Sequence, residues 1–178
     1  HATEGFTIVS TPHVTNRTGR CMTVRTQPNG HPAMRYEKST EGIRVQVRPR
    51  YSLADSDPAD GMFVFAYTVV MANEGEDTAQ LLFRHWRIHD AAGDDSTVDG
   101  EGVIGEQPIL APGESHEYQS YCVLRSPVGY MEGYYTFARR GGEEFRVEVP
   151  RFHLNGPLVL PGTYSPVFDE DEEPDVLH

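Results

Sequence analysis

The sequence predicts an all-β protein folded as an antiparallel β-sandwich. No segment keeps a helical hydrophobic period, and short segments of alternating apolar and polar residues recur about every ten residues. Clusters of Gly, Pro, Asn and Asp separate these segments, as expected for turns between strands. This spacing is typical of a sandwich, and it differs from that of a sheet built from strand–helix–strand units.

The chain is expected to contain three segments. Residues 1–41 are weakly patterned, and they predict a loosely structured N-terminal extension that could add an edge strand. Residues 42–160 carry the alternating pattern of the sandwich itself. Residues 161–178 are rich in proline and acidic residues and predict a flexible acidic tail. A chain of 178 residues is long enough for one such core with flanking segments.

The first half of the sandwich is predicted to contain strands at 43–47, 62–71 and 81–89. In the first strand, Ile43, Val45 and Val47 alternate with polar residues, so one face is buried and the other faces solvent. Turn-forming residues at 55–61 and 73–77 separate the three strands.

The second half is predicted to contain a short returning strand at 96–99 and further strands at 117–124, 130–138, 145–149 and 152–154. Turns are expected at 92–94, at 112–113 and at 140–142, where glycine occurs beside Asp, Pro or Arg. The strand at 130–138 is rich in aromatic residues, which favour strands and, where exposed, protein contacts.

A glycine-rich run at 100–108 reads G-x-G-x-x-G, the pattern of a dinucleotide-binding loop. That loop functions between a buried strand and the N-terminus of a helix, whose free N–H groups bind phosphate. Here Pro108, Pro112 and Gly113 follow and exclude a long helix. We therefore expect either a structural crossover loop or a contact for an anion or a partner. Glu101 and Glu106 make a nucleotide the less favoured ligand.

The net charge of −12 argues against nucleic acid and against anionic membranes as partners. Six of the 27 acidic residues lie in 169–175, and the rest of the chain has 21 acids against 15 bases. Charge therefore favours a basic partner. The sequence lacks a membrane-length apolar stretch and a recognisable secretion signal. We expect a cytoplasmic protein, with a nuclear location as the second expectation, and Cys21 and Cys122 as reduced thiols.

The residues offer no constellation for catalysis, metal binding or a cofactor, so the chain is predicted not to be an enzyme. His85 and His89 have the spacing of zinc ligands on a helix. On a strand they lie about 13 Å apart, too far to share one metal ion. Cys122 has no adjacent basic residue in the sequence to activate it, and the G-x-S-x-G motif of serine hydrolases is missing.

Six short stretches in a fixed order carry a family resemblance: FAY at 65–67, RHWRI at 84–88, GEGVIGEQP at 100–108, APG at 111–113, GYMEG at 129–133 and PRF at 150–152. From about residue 42 to residue 157, the chain resembles the ApaG domain family. The resemblance implies a β-sandwich of the fibronectin type III or immunoglobulin kind, without known catalysis.

The resemblance implies three kinds of protein in which such a domain occurs. The stretches 129–137 and 150–153, together with the acidic tail, look most like the ApaG domain of F-box proteins. This predicts a non-catalytic protein-interaction module that recognises substrates within an SCF ubiquitin ligase. The alternative is a free-standing bacterial ApaG protein, linked to cobalt and magnesium homeostasis, that binds a small anion or cation. A third context is the polymerase-delta-interacting protein.

The predicted partner-binding residues are Trp86, Gly100, Gly102, Gly105, Glu106, Tyr130, Glu132 and Tyr134. They combine the glycine run with aromatic residues of two predicted strands, because exposed tyrosine and tryptophan are favoured contact residues. The expected partner is a protein, with a basic one favoured by charge. The chain itself is expected to be a monomer or a weak dimer.

Overall fold

A computed structural model of the protein describes residues 34–157. Within this range the chain forms nine strands: β1 (Tyr36–Thr40), β2 (Ile43–Tyr51), β3 (Phe63–Asn73), β4 (Ala79–Asp90), β5 (Asp95–Glu101), β6 (Ile109–Leu110), β7 (Ser115–Leu124), β8 (Val128–Arg139) and β9 (Glu144–Asn155). One short 3-10 helix, Pro58–Asp60, lies between β2 and β3. No helix of these residues is long and apolar enough to cross a membrane.

The strands form two antiparallel sheets that pack face to face. Sheet 1 has the order β1-β2-β3-β7, and sheet 2 has the order β5-β4-β8-β9, with β6 paired to β4. Strands β7 and β5 are therefore edge strands, one in each sheet. The predicted β-sandwich is confirmed.

The core lies between the two sheets, where inward side chains alternate with outward polar ones. Trp86 of β4 is 3% exposed and packs edge-on against Tyr67, Tyr135 and Phe152, with ring centroids 5.9 Å from each. Edge-to-face aromatic contacts add about 0.5–1.5 kcal/mol to the gain from burial alone. These contacts join β3 of sheet 1 to three strands of sheet 2.

A bulge in β4 places a cation in the sandwich. The register with β8 shifts between Leu81 and Phe83, so that Arg84 faces inward together with Trp86 and Ile88. An extra residue in a strand shifts the alternation of the residues that follow it by one position.

A second bulge shapes the outer surface of sheet 2. The register of β8 and β9 shifts between Met131 and Gly133, and Pro150 and Arg151 occupy the corresponding part of β9. Proline fits there because a bulge residue needs no ladder hydrogen bond. As a result, Arg151 faces outward between the buried Val149 and Phe152.

Residues 36–40 form an edge strand paired with β2, the alternative that the sequence left open for the segment 1–41. One sequence prediction needs correction at the level of elements. The predicted strands 145–149 and 152–154 are one continuous strand, because the bulge accommodates Pro150. Residues 1–33 and the acidic tail at 161–178 lie outside the described residues.

Candidate functional site

The glycine-rich run forms a tight hairpin turn. The Val103 amide donates to the Glu106 carbonyl at 2.8 Å, and the Glu106 amide donates to the Val103 carbonyl at 3.0 Å. Ile104 and Gly105, between them, have φ angles of 53° and 72°. Two successive left-handed residues define a type I′ turn. Strand β6 follows this turn, where a dinucleotide-binding loop would have a helix.

Each glycine of the run has a local structural reason. A Cβ on Gly100 would lie 2.6 Å from Nη2 of Arg84, and one on Gly102 would collide with the Glu106 carbonyl. Gly105 has open space around it but needs its left-handed conformation. The run is therefore shaped by the turn and by the approach of Arg84.

The turn covers an inward-facing cation. Nη1 of Arg84 donates to the carbonyls of Glu101 and Gly102 at 2.9 and 2.8 Å. Among residues 34–157, no carboxylate forms an ion pair with Arg84. Arginine cannot lose its proton in proteins, so this half-buried charge relies on neutral acceptors in the described structure.

A cavity of about 40 Å³ adjoins Arg84 between the sheets, on the side of the edge strands β5 and β7. Its polar lining includes Tyr67, Ser120 and Tyr118. One water needs roughly 10–15 Å³ of such space, so the cavity has room for about three waters or one small oxyanion.

The hydroxyls in this cavity are deeply buried. Ser120 is 4% exposed, and its hydroxyl lies beside that of Tyr67 without a well-aligned hydrogen bond among the described residues. Burial raises the pKa of Tyr67 to about 12, so its hydroxyl keeps its proton. The Tyr118 and Tyr135 hydroxyls bond to each other. The guanidinium and the Ser120 and Tyr67 hydroxyls supply donors for a ligand that only accepts hydrogen bonds.

The tyrosines predicted as contacts lie on the other side of sheet 2, its outer face. Tyr134 stacks on His85 with centroids 4.8 Å apart, and Arg146 covers the ring at 4.2 Å. Tyr130 stacks on His89 at 4.7 Å, and Arg151 covers it at 4.1 Å. Strands β4 and β9 flank β8, so each tyrosine ring is covered from both sides.

The pairing of β4 with β5 extends each stack into a row of four side chains. Nδ1 of His85 bonds to Asp99, and Nδ1 of His89 bonds to Asp95. The outer face thus carries two rows of the same composition, Asp99–His85–Tyr134–Arg146 and Asp95–His89–Tyr130–Arg151. The two histidines lie in separate rows, and residues 34–157 contain no group of three or more His, Cys, Asp or Glu side chains placed to hold a metal ion.

Glu132 lies between the two rows. Its carboxylate accepts from Nε and Nη2 of Arg151 at 2.9 and 3.3 Å, and Arg87 is 3.8 Å away. The hydrogen bond from Arg151 lowers the pKa of Glu132, so this carboxylate stays charged.

The predicted partner-binding residues do not share one surface. Tyr130, Glu132 and Tyr134 lie together on the outer face, but Trp86 points into the core, and its buried ring cannot contact a partner. The structure corrects that prediction, because residues 84, 86 and 88 alternate inward. Glu106 is exposed on the turn, with its carboxylate 3.8 Å from Nε2 of His116.

Sequence reasoning missed Arg84, Ser120 and Tyr67. A signal for Arg84 was present: counting back by two from the apolar Ile88 and Trp86 places residue 84 on the inward face. Ser120 and Tyr67 can be recognised as neighbours only once β3 and β7 are paired, since nothing in the local sequence brings these two residues together.

The domain is a small all-β module, a β-sandwich in which the turn between β5 and β6 closes over the inward-facing Arg84. The ApaG domain matches residues 53–139. Protein ApaG of Methylorubrum extorquens (strain PA1) is 47% identical over 122 residues, covering 68% of this chain and 94% of that protein. Protein ApaG of Anaeromyxobacter sp. (strain K) is 49% identical over 126 residues, covering 71% of this chain and 96% of that protein. The chain belongs to the ApaG family.

A solved structure supports the same assignment. The crystal structure of the putative ApaA protein from Bordetella pertussis is 44% identical in sequence and superposes with a TM-score of 0.63. The match covers 65% of this chain and 94% of that one. The sandwich described above is therefore the fold of the family.

These relatives overturn the main functional prediction, that of a substrate-recognition module in an F-box ubiquitin-ligase subunit. The match spans 94–96% of the bacterial ApaG proteins, so they are free-standing versions of this domain without space for an F-box. Within the stretch 129–137, Gly133 has a structural reason: a Cβ there would collide with the His85 carbonyl, so the pairing of β4 with β8 requires glycine.

Proposed function

We propose that this protein is a non-catalytic binding protein whose cavity beneath the glycine turn binds a small inorganic oxyanion. The observation that carries the proposal is Arg84, a permanent cation that faces a cavity with buried hydroxyl donors and has no carboxylate partner among the described residues. The proposal develops the free-standing alternative rather than the F-box hypothesis.

The donor set favours an anion over a neutral ligand or a cation. Partly burying the charge of Arg84 without a counter-charge carries a cost, and two carbonyl oxygens compensate only part of it. An oxyanion supplies both the opposite charge and several acceptor oxygens. Arg84 and Ser120 both line the cavity and would donate to such oxygens, and binding would give Ser120 Oγ a well-aligned acceptor.

The size of the cavity limits which ligands can fit. About 40 Å³ suits a group of four or five heavy atoms, such as phosphate or sulfate, and excludes a nucleotide. The partly buried Ile104 lines the same cavity, so the turn closes it on the side of β5. The glycine run would then act through the geometry of its turn and through Arg84, not through a helix N-terminus.

Calorimetric titration of the 178-residue chain with orthophosphate and with sulfate tests the proposal. We expect binding by the wild type, a loss of about tenfold or more in Arg84→Gln, and no change in Arg125→Gln. Arg125 is the control, because its side chain is 79% exposed and lies outside the cavity. Ser120→Ala tests the same cavity if Arg84→Gln fails to fold. The proposal is wrong if neither anion binds, or if Arg84→Gln and Ser120→Ala both bind like the wild type.

A further inference from the structure

The outer face of sheet 2 contains a groove of about 410 Å³, which we call the outer groove. Its charged lining consists of Lys38, Arg87, Arg146, Arg151, Glu132 and Glu148. The groove lies on the opposite side of β4 from the cavity under the turn, because Arg87 faces outward and Arg84 inward. A volume in this range is typical of small-molecule sites.

The charge of the outer groove is opposite to that of the chain. Four cations face two carboxylates there, a net charge of +2, whereas the whole chain carries −12. Glu148 pairs with Lys38, and Glu132 pairs with Arg151. Arg87 lies 3.8 Å from Glu132 and 3.7 Å from Asp95, which is outside the groove lining. Arg146 forms no ion pair with any carboxylate of residues 34–157, and its guanidinium lies over Tyr134. Arg146 is thus the groove cation without a carboxylate partner in the described residues, and its charge favours an anionic ligand.

The tyrosines limit how such a ligand can be recognised. Both faces of Tyr134 are covered, by His85 on one side and by Arg146 on the other. Aromatic rings of a ligand therefore have no tyrosine face on which to stack. Recognition is left to ion pairs and hydrogen bonds from the guanidinium groups, which bind phosphate or carboxylate through paired donors.

We propose that the outer groove binds a small molecule bearing two or more phosphate or carboxylate groups, recognised by charge and not by an aromatic ring. Several anionic groups are needed because the cations lie on three different strands, β1, β4 and β9. A ligand with a single anionic group would reach only part of this set. The site is distinct from the proposed oxyanion cavity and does not depend on it.

Calorimetric titration of the full chain at low salt, with tripolyphosphate and citrate as probes, tests this inference. At least one of them is expected to bind about tenfold more tightly than orthophosphate when both are measured in Arg84→Gln, which disables the inner cavity, since it can engage additional cations. Arg146→Gln is expected to weaken that binding about fivefold. Glu148→Gln, which removes a carboxylate and releases Lys38, is expected to strengthen it.

Two controls distinguish binding in the outer groove from binding elsewhere on the chain. Arg125→Gln removes the same charge from a side chain that is 79% exposed and lies outside the groove, and it should leave binding unchanged. ATP should bind no more tightly than tripolyphosphate, because its base finds no free tyrosine face. The inference is overturned if neither probe binds, if Arg125→Gln matches Arg146→Gln, or if the base of ATP adds affinity. It is also overturned if Arg84→Gln abolishes tripolyphosphate binding and Arg146→Gln does not, which would place the probe in the inner cavity.

Discussion

The guanidinium of Arg84 lies where residue 100 would carry a Cβ atom, since a methyl group built on Gly100 comes within 2.6 Å of Nη2. The two residues face each other across the β4–β5 pair. Glycine at position 100 leaves room for the guanidinium, which its hydrogen bonds hold beneath the carbonyls of Glu101 and Gly102.

Gly100→Ala is expected to lower the free energy of unfolding by about 1–2 kcal/mol, because the displaced guanidinium loses hydrogen bonds to two carbonyls. Urea unfolding followed by fluorescence measures the change. Gly141→Ala is the control, since a Cβ there meets no atom within 4 Å and should change little. In an Arg84→Ala background, Gly100→Ala should cost almost nothing. An equal loss of stability in both backgrounds would show that the contact with Arg84 is not the cause.

Ile104 holds a strained backbone conformation in the turn. A β-branched residue at a φ of 53° costs on the order of 1–3 kcal/mol, and its partly buried side chain offsets that cost by packing against the core. Ile104→Asn removes both effects, because Asn-Gly is the preferred pair in a type I′ turn. We therefore expect its stability to stay within about 1 kcal/mol of the wild type.

Val103→Asn is the matched comparison, because Val103 lies next to Ile104, is 1% exposed and has no left-handed strain. Burying an amide there should cost more than about 2 kcal/mol in a thermal or urea unfolding experiment. Equal losses for the two variants would mean that Ile104 is not strained.

The strands could be predicted from the sequence where one face is apolar, and not elsewhere. The prediction at 62–71 matches β3 closely, because Phe63, Phe65, Tyr67 and Val69 all point into the core. Strand β1 could be predicted only as an unplaced edge strand within 1–41, since its sequence YEKST is mostly exposed and carries no apolar alternation. Its position depends on pairing with β2, a contact that local sequence does not encode.

The candidate sites were harder to predict for the same reason. The stack of His85 on Tyr134 depends on the register of β4 with β8, and the bond from His85 to Asp99 depends on the register of β4 with β5. The bulge between Leu81 and Phe83 adds a shift that the sequence pattern conceals. Pairing registers, rather than residue types, decide which side chains form the outer groove.

Asp90 joins the end of β4 to the turn between β7 and β8. Its carboxylate accepts from the Arg125 amide and from Ser126 Oγ, both at 2.6 Å. Burial alone would raise the pKa of Asp90, but the hydrogen bonds from Ser126, Ala92 and Arg125 outweigh it and leave the pKa below its ordinary value. Asp90→Asn is expected to cost about 1–3 kcal/mol at pH 7, because an amide group cannot accept all of these bonds.

The pH dependence of this effect has a definite sign. A depressed folded pKa stabilises the fold fully above the unfolded value, near 3.8, and the contribution is lost as the pH falls through the folded pKa. The difference in unfolding free energy between the wild type and Asp90→Asn should therefore shrink in acid. Urea titrations at neutral and strongly acidic pH measure it, with the exposed Asp94→Asn as the control. A difference that stays constant with pH would contradict this role.

Cys122 lines the oxyanion cavity, and its reactivity reports how often that cavity opens. The thiol is 2% exposed, and burial raises its pKa to about 12, so little thiolate exists at neutral pH. In a Cys21→Ser background, iodoacetamide is expected to leave Cys122 unmodified in the native protein and to alkylate it in urea, as measured by mass spectrometry. Orthophosphate that fills the cavity should slow any residual native reaction further. Rapid alkylation of the native chain would show that the space between β5 and β7 is open, and the enclosed site beneath the turn would then be wrong.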